Sequence, residues 1–374
     1  WLRGNVRYFD RHAHRRHRPA RAWSPLKEAA RLPGCMAANE QRKEKRIIMD
    51  ERITLDHGSG GQLSTELIER HILKAFPADA LHELRDGAIV PAGTQPLVMS
   101  TDSFVVSPWR FPGGDIGKLA VCGTVNDLLM SGGIPAYLTF SLILEEGFAI
   151  ADLDAVLASA ADCAARCGVS IVTGDTKVVE KGKGDQIYIN TAGVGFLKKK
   201  TDYAYQPGDQ VILSGSVGRH GAAVFMARED IRLQGELRSD CAPLCEEARA
   251  AMETEGLRIM RDPTRGGLAT TCTELVEHTK WGMELDERAI PVDADVQALC
   301  DLLGFDPLYL ACEGRMIAIV SQAHSAQLLE KLGKDARIIG TISDDHPGTV
   351  LMKTRLGTTR WLRKLSGQPL PRIC

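Results

Sequence analysis

"STDSFVVSPWRFPGGDIGKLAVCGTVNDLLMSGG", residues 100–133, decides how this chain is organised. Its start closes the run "PLVMSTDSFVV", whose Val and Phe content reads as a buried strand. Pro112-Gly113-Gly114 then breaks the run, and Asp115 is placed to cap a helix that continues to the Gly132-Gly133 stop before Pro135. Asn126 and Asp127 sit on an otherwise apolar helix face.

The same alternation extends in both directions. Upstream, "ITLDHGSGGQLSTELIERHIL" reads as a short strand, a Gly-rich turn and a helix with Leu63, Leu67, Ile68 and Ile72 on one face. Downstream, a helix is predicted over about Ala151–Cys167 with Gly168 as its stop, then "VSIVTGDTK" as strand plus loop and "DQIYINTAGVGFL" as a long strand. A second unit opens at "QPGDQVILSG". It goes on through a Gly-started helix after "MRDPTRGG", the helix "DADVQALCDLLGF", the strand "RMIAIVS" and the helix "AHSAQLLEKLG". Strands and helices alternate throughout, so the class is α/β or mixed α+β. The expected boundaries are a basic extension over 1–48, one domain over 49–200, a second over 201–354 and a Pro/Gly-bearing flexible tail over 355–374.

With 374 residues, 44% of them hydrophobic, the chain can bury more than one core. The net charge of −2 conceals an asymmetry: residues 1–48 hold 13 Lys and Arg against 4 Asp and Glu, which leaves the body at −11. An acidic body argues against nucleic-acid binding. The absence of an apolar run of membrane-spanning length argues against a membrane protein, so a cytoplasmic location is the expectation. The Arg-rich arm lacks apolar periodicity and does not begin with Met. It reads as disordered, as a tag or over-extended frame with Met36 or Met49 the natural start, or as a targeting or nucleic-acid arm.

Several features can carry chemistry. "HGSGG" (His57, Gly58, Ser59, Gly60, Gly61) before a helix is either a phosphate cradle or a strand-to-helix turn; it lacks the Gly-Lys-Ser/Thr ending of a P-loop. Asp86, Asp102, Asp127 and Asp175 lie at strand ends or on the apolar helix, and hard oxygen donors of this kind suit magnesium. Lys177 can neutralise a phosphate or move a proton, or be a solvated loop residue. Arg265 in "DPTRGG" suits an anion or a capping turn. Glu313 in "LACEGR" either pairs with Arg315 or acts as an acid or base. The ten cysteines read as reduced thiols. The pairs Cys163/Cys167 and Cys241/Cys245 fit helix packing better than a metal site. Cys374 differs: it ends "SGQPLPRIC", an extended, exposed arm by its prolines, and is incidental or reactive according to what it can reach.

Taken together, "HGSGG", "STDSFVVSPWRFPGGDIGKLAVCGTVNDLLMSGG", "TGDTKVV", "DPTRGGLA", "ACEGR" and the terminal "PRIC" closely resemble the HypE family of hydrogenase maturation factors, in the family's order and from about Ile53 to Cys374. The resemblance implies two α/β domains of the aminoimidazole ribonucleotide synthetase type and a homodimer whose N-terminal domains share a β-barrel. It also implies ATP and Mg2+ in a cleft. A HypF-type partner would carbamoylate the terminal cysteine, ATP would drive dehydration of the thiocarboxamide to a thiocyanate, and the cyanide would pass to iron on a HypC-HypD complex. On matching motifs it assigns Cys374 as acceptor and Asp86, Asp102, Asp127 and Asp175 as metal or ATP groups. Lys177 and Glu313 become proton-transfer groups, with Asn126, Arg265 and His57–Gly61 at the nucleotide. Selenophosphate synthetase, thiamin-monophosphate kinase and a non-enzymatic ATP-binding scaffold are the alternatives. The first presents a reactive residue near its N-terminal Gly-rich segment, whereas the first cysteine here after Met49 is Cys122.

Overall fold

The computed structural model describes residues 52–54, 57, 66–76, 94, 96–201, 204–231, 237–364, 370 and 372–374, all within one compact unit, Glu51–Cys374. The segment 1–48, Gly58–Gly61 and Asp86 lie outside the described residues.

A four-stranded sheet comes first, in the order β1 (Leu97–Phe104), β6 (Ile187–Leu197), β4 (Gly133–Glu145), β5 (Ser170–Val179). Only β4 and β5 run parallel. Between β1 and β4 come a two-residue ribbon, β2 (Arg110–Phe111) and β3 (Gly114–Asp115), and helix α1 (Ile116–Met130). Asp115 caps α1 by accepting from the N–H groups of Gly117 and Lys118, which satisfies donors the helix start leaves free. α1 is buried nearly all round because one side lies on the sheet and another on α2 (Ile150–Cys167). The α1–α2 crossing is so close that a Cβ on Gly117 would stand 2.2 Å from the Val156 carbonyl oxygen.

Three expectations change here. The run 97–104 is an outer strand with Leu97 and Met99 exposed and only Phe104 buried, because no element among the described residues covers its far face. The segment after Ser170 is a single strand to Val179, since β4 supplies a parallel ladder along its whole length; Asp175 and Lys177 therefore sit in a strand. Cys163 and Cys167 do share a helix, but Cys241 precedes α4 (Cys245–Met252), and Cys122 on α1 meets Cys163 at 3.3 Å between sulfurs. All three expectations rested on local composition, which does not register what packs alongside.

The second sheet has seven strands in the order β13 (Thr359–Leu362), β12 (Val350–Lys353), β9 (Gly282–Asp286), β11 (Arg337–Ser343), β7 (Gln210–Leu213), β10 (Ile317–Val320), β8 (Leu257–Arg261). Strand β13 lies inside the segment expected to be a loose tail: its hairpin with β12 keeps the chain in the sheet to Leu362. Side chains alternate across this sheet. Val211, Leu213, Ile317 and Ile319 join a core with Leu268, Ala269 and Cys272 of α5 (Gly267–Val276). Ile212, Ala318 and Val320 face the other way, into a core continuous with that of α1 and α2 and including Ala222–Val224 of α3 (Arg219–Arg228) and Val296, Leu299 and Cys300 of α6 (Ala294–Leu303). Leu370 and Ile373 are buried in that shared core, so the last residues are packed rather than loose.

Candidate active site

Around α1, which packs on the first sheet and also meets β8 of the second, the end of β1, the polar turn of α1, the exit of β8 and the loop before β10 bring carboxylates together. Asp127 is held by Ser100, whose Oγ donates to its Oδ2 at 2.7 Å. Burial raises the Asp127 carboxyl above its ordinary range and the charge of Asp102 adds to this, against the Ser100 bond and the Arg261 and Arg265 charges. Asp262, one residue past β8, is pushed to about 7, first by burial and then by Asp127 and Asp102. Glu313, only 3% exposed, is pushed well above the carboxylate range by burial, with Cys241, Asp262, Asp240 and Asp102 adding to it. Asp240 is buried as well. Its Oδ1 accepts the Glu313 N–H at 3.2 Å, while its Oδ2 lies 3.9 Å from Arg315 Nε with no hydrogen-bond partner among the described residues.

Crowded, desolvated carboxylates of this kind are costly without a cation. Asp102, Asp127 and Asp262 offer the hard oxygens that Mg2+ prefers, and its charge would relieve their mutual repulsion, so the residues present fit the ion. No group of three or more ligand side chains is already gathered in metal geometry among the described residues. Arg265, well exposed on the turn before α5, stands 3.7 Å from Asp102 and can swing to an anion.

The C-terminal segment enters this place. Val105 N–H donates to the Cys374 carbonyl at 3.1 Å and Ser107 N–H to the Arg372 carbonyl at 3.2 Å, while Arg372 Nε returns a bond to the Val105 carbonyl at 3.0 Å. The tail is thus paired like an added strand on residues 105–107. Arg228 clasps it by donating to the carbonyls of Ser107 and Arg372, and the Arg372 guanidinium pairs with Asp185. Cys374 is half-buried, where an exposed arm was expected. Its thiol is pushed up to about 12 by burial, with Glu313 and Asp102 adding and Arg265 opposing.

Not every expected residue joins. Asn126 is 1% exposed and fully engaged: Nδ2 donates to the Ala242 and Glu313 carbonyls, and Oδ1 accepts from Leu244 N–H at 2.8 Å. It staples α1 to the loop beneath Glu313. His57 closes a turn, its Nδ1 accepting from Thr54 N–H at 3.0 Å. Asp175 and Lys177 pair with each other at 2.7 Å, which holds Asp175 below its usual range. The ladder puts Asp102 in register with Thr191, Phe140 and Gly174, but Asp175 with Ser141 and Asn190, on the opposite face. Three strand spacings also separate β1 from β5, about 14 Å. Asp175 and Lys177 therefore stand apart from the carboxylate cluster of their own chain. The residues the sequence reading passed over are Asp262, Asp240 and His220. Asp262 follows β8 directly, so the strand-end criterion reaches it, whereas Asp102 lies inside β1; His220 gave no local signal.

Comparison with known proteins completes the picture. Residues 84–197 match the AIR synthase related protein N-terminal domain and residues 206–353 its C-terminal domain. Carbamoyl dehydratase HypE of Cupriavidus necator is 46% identical over 338 residues, 87% of this chain and 96% of that protein. A crystal structure of the hydrogenase maturation protein HypE in complex with ATP superposes with a TM-score of 0.83 at 41% identity, covering 86% of this chain and 99% of that one. HypE from a crystal structure of the HypE-HypF complex gives 0.70 at 40% identity, covering 80% and 99%. With both domain models matched in order and this identity held along nearly the whole length of its relatives, the chain belongs to the HypE carbamoyl dehydratases of the AIR synthase related family.

Proposed function

We propose that this chain dehydrates a carbamoyl group carried on its own Cys374, turning a thiocarboxamide into a thiocyanate at the expense of ATP. The observation that carries the reading is the docked tail, whose last residue is bonded to Val105 N–H, three residues past Asp102, and whose thiol is influenced by the charges of Glu313, Asp102 and Arg265. Bound Mg-ATP supplies the phosphoryl group that makes the amide oxygen a leaving group. The chain's own part is to present the substrate, neutralise charge and take protons. Asp102, Asp127 and Asp262 would hold Mg2+ and Arg265 would meet the phosphates; the 105–107 pairing and Arg228 fix the tail; Glu313, in a site sheltered from water, accepts a proton from the amide nitrogen.

The thiol itself must be loaded elsewhere. Docked, it is held near 12 and so is neutral at pH 7, whereas attack on a carbamoyl donor needs thiolate. A HypF-type carbamoyltransferase takes the undocked tail, and a HypC-HypD complex receives the cyanide. A homodimer accounts for the uncovered face of the first sheet, where Leu97, Met99, Ile134 and Ile143 are exposed apolar side chains. Asp175 and Lys177 share that face, so pairing of two first sheets into a barrel brings them to the second copy's cleft, Lys177 as the other proton-transfer group.

The reading is tested by mass spectrometry of the C-terminal peptide. Protein carbamoylated on Cys374 and given Mg-ATP loses the mass of one water; ATP consumed with the peptide mass unchanged would leave the scaffold alternative standing.

The metal assignment carries its own prediction. Asp262 has an ordinary acid range near 3.8 when unfolded and about 7 in the fold, so the native state favours its neutral form. That stabilisation is complete below the unfolded value and lost as pH rises through about 7. The thermal midpoint of metal-free protein should fall over this window, and Mg2+ should restore it most above the upper end. Asp262→Asn should flatten both effects; a wild-type slope in that variant removes Asp262 from the metal set.

A further inference from the structure

His220, the second residue of α3, is fully buried, and both its ring nitrogens are engaged. Nε2 lies 2.5 Å from the Ile373 carbonyl oxygen, which can only accept, so the proton is on Nε2. Nδ1 then accepts from Ser239 Oγ at 2.8 Å, and that oxygen accepts the Cys241 N–H at 3.0 Å. The Phe111 ring stands edge-on at 5.3 Å and fixes the imidazole plane. Burial lowers the imidazole to about 4, so the neutral tautomer with one donor and one acceptor persists at every working pH.

The chain of bonds has direction. At one end is the carbonyl next to the substrate-bearing residue, 153 positions away in sequence. At the other is the loop 239–242, where Ala242 N–H donates to the Glu313 carbonyl and Asp240 Oδ1 accepts the Glu313 N–H. The same turn of α3 touches the loop that carries Glu313 directly, through Gly221 N–H to the Ala311 carbonyl at 3.0 Å. With the tail out, Nε2–H loses its carbonyl partner.

We propose that His220 is a positioning residue that latches the C-terminal tail through the Ile373 carbonyl and, through Ser239, couples the docked tail to the loop that holds Glu313. This rests on the reading of Cys374 as the carrier of the reacting group. His220 touches neither the sulfur nor a proton in flight. It sets where Cys374 comes to rest and makes the loop under Glu313 complete only when substrate is in place.

The test compares His220→Phe, which keeps the ring packing and loses both bonds, with His220→Gln, whose amide N–H can still reach Ile373. The first readout is alkylation of uncarbamoylated Cys374 by iodoacetamide, measured on the full chain. In the Phe variant the thiol leaves a site that holds it near 12 for one near the ordinary 9.0, so its reactivity should rise by up to about a thousandfold. The Gln variant should stay close to wild type. Ser239→Ala, which leaves the tail contact intact, should give a smaller rise and serves if the Phe variant does not fold. Equal alkylation rates in wild type and in both the Phe and Ser239→Ala variants overturn the latch. This readout needs no dehydration, so it stands or falls separately from the function proposed above. The second readout is the split between steps: Phe should slow water loss from the carbamoylated peptide while carbamoyl acceptance holds or quickens. Parallel loss of both steps overturns the coupling and reduces His220 to a fold residue.

Discussion

Replacing Cys374 by Ser should abolish both carbamoyl acceptance and the later loss of water from the C-terminal peptide, with the fold unchanged. The change is one atom at the end of the chain, and the backbone bonds that dock the tail, Val105 to Cys374 and Ser107 to Arg372, do not involve the side chain. What is lost is nucleophilicity. A free thiol ionises near pH 8.5 and offers a few per cent thiolate at neutral pH, whereas an unassisted serine hydroxyl offers essentially none. No residue that could activate a hydroxyl travels with the tail. Intact-mass and peptide-mass measurements, with the transferase and Mg-ATP supplied, decide the matter. Water loss at full rate from the Ser variant would place the acceptor elsewhere and remove the meaning given to the docked tail.

Glu313→Gln should spare the loading step and cut dehydration by about 10²–10⁴-fold, the usual worth of a positioned acid or base. The amide is nearly isosteric and keeps the backbone bonds of Glu313 to Asp240 and Ala242, so folding is not at issue. The pH profile separates this role from a structural one. Because burial and neighbouring carboxylates hold Glu313 well above the ordinary carboxylate range, its basic form appears only as pH rises through that elevated value. The wild-type rate should climb over a pH region where free carboxylates have long finished titrating, and the Gln variant should lose that limb. A cation beside Asp102 and Asp127 would move the limb to lower pH, so added Mg2+ should shift it in that direction. If Lys177→Ala abolishes the limb and Glu313→Gln leaves it, the base comes from the outer face of the first sheet instead.

The cap at Asp115, the stop at Gly168 and the alternating class were legible because caps, glycine stops and periodicity are local. Asp102, Asp127, Arg265, Glu313 and Cys374 were legible as a set only through the order of several motifs; each alone has an ordinary explanation. Asp262 was within reach of the strand-end criterion, but Arg265 drew attention in the same motif. Asn126 could not be judged, since its role as a staple depends on Ala242, Leu244 and Glu313, which lie more than a hundred residues away. The exposure of β1 was misread for a similar reason: a Val- and Phe-bearing strand looks buried until the sheet shows one face with nothing on it.

The sequence by itself determined most of the elements, the two-part organisation and the chemical types available: hard carboxylates, an arginine suited to an anion, a terminal thiol. Those are properties of residues and their near neighbours. Tertiary structure alone decided which carboxylates are crowded and desolvated, which face of a sheet Asp175 occupies, and where the tail rests. Protonation, charge repulsion and reach depend on distances between segments that the chain order does not encode, so the same Cys374 reads as a loose end in one dimension and as a docked substrate carrier in three.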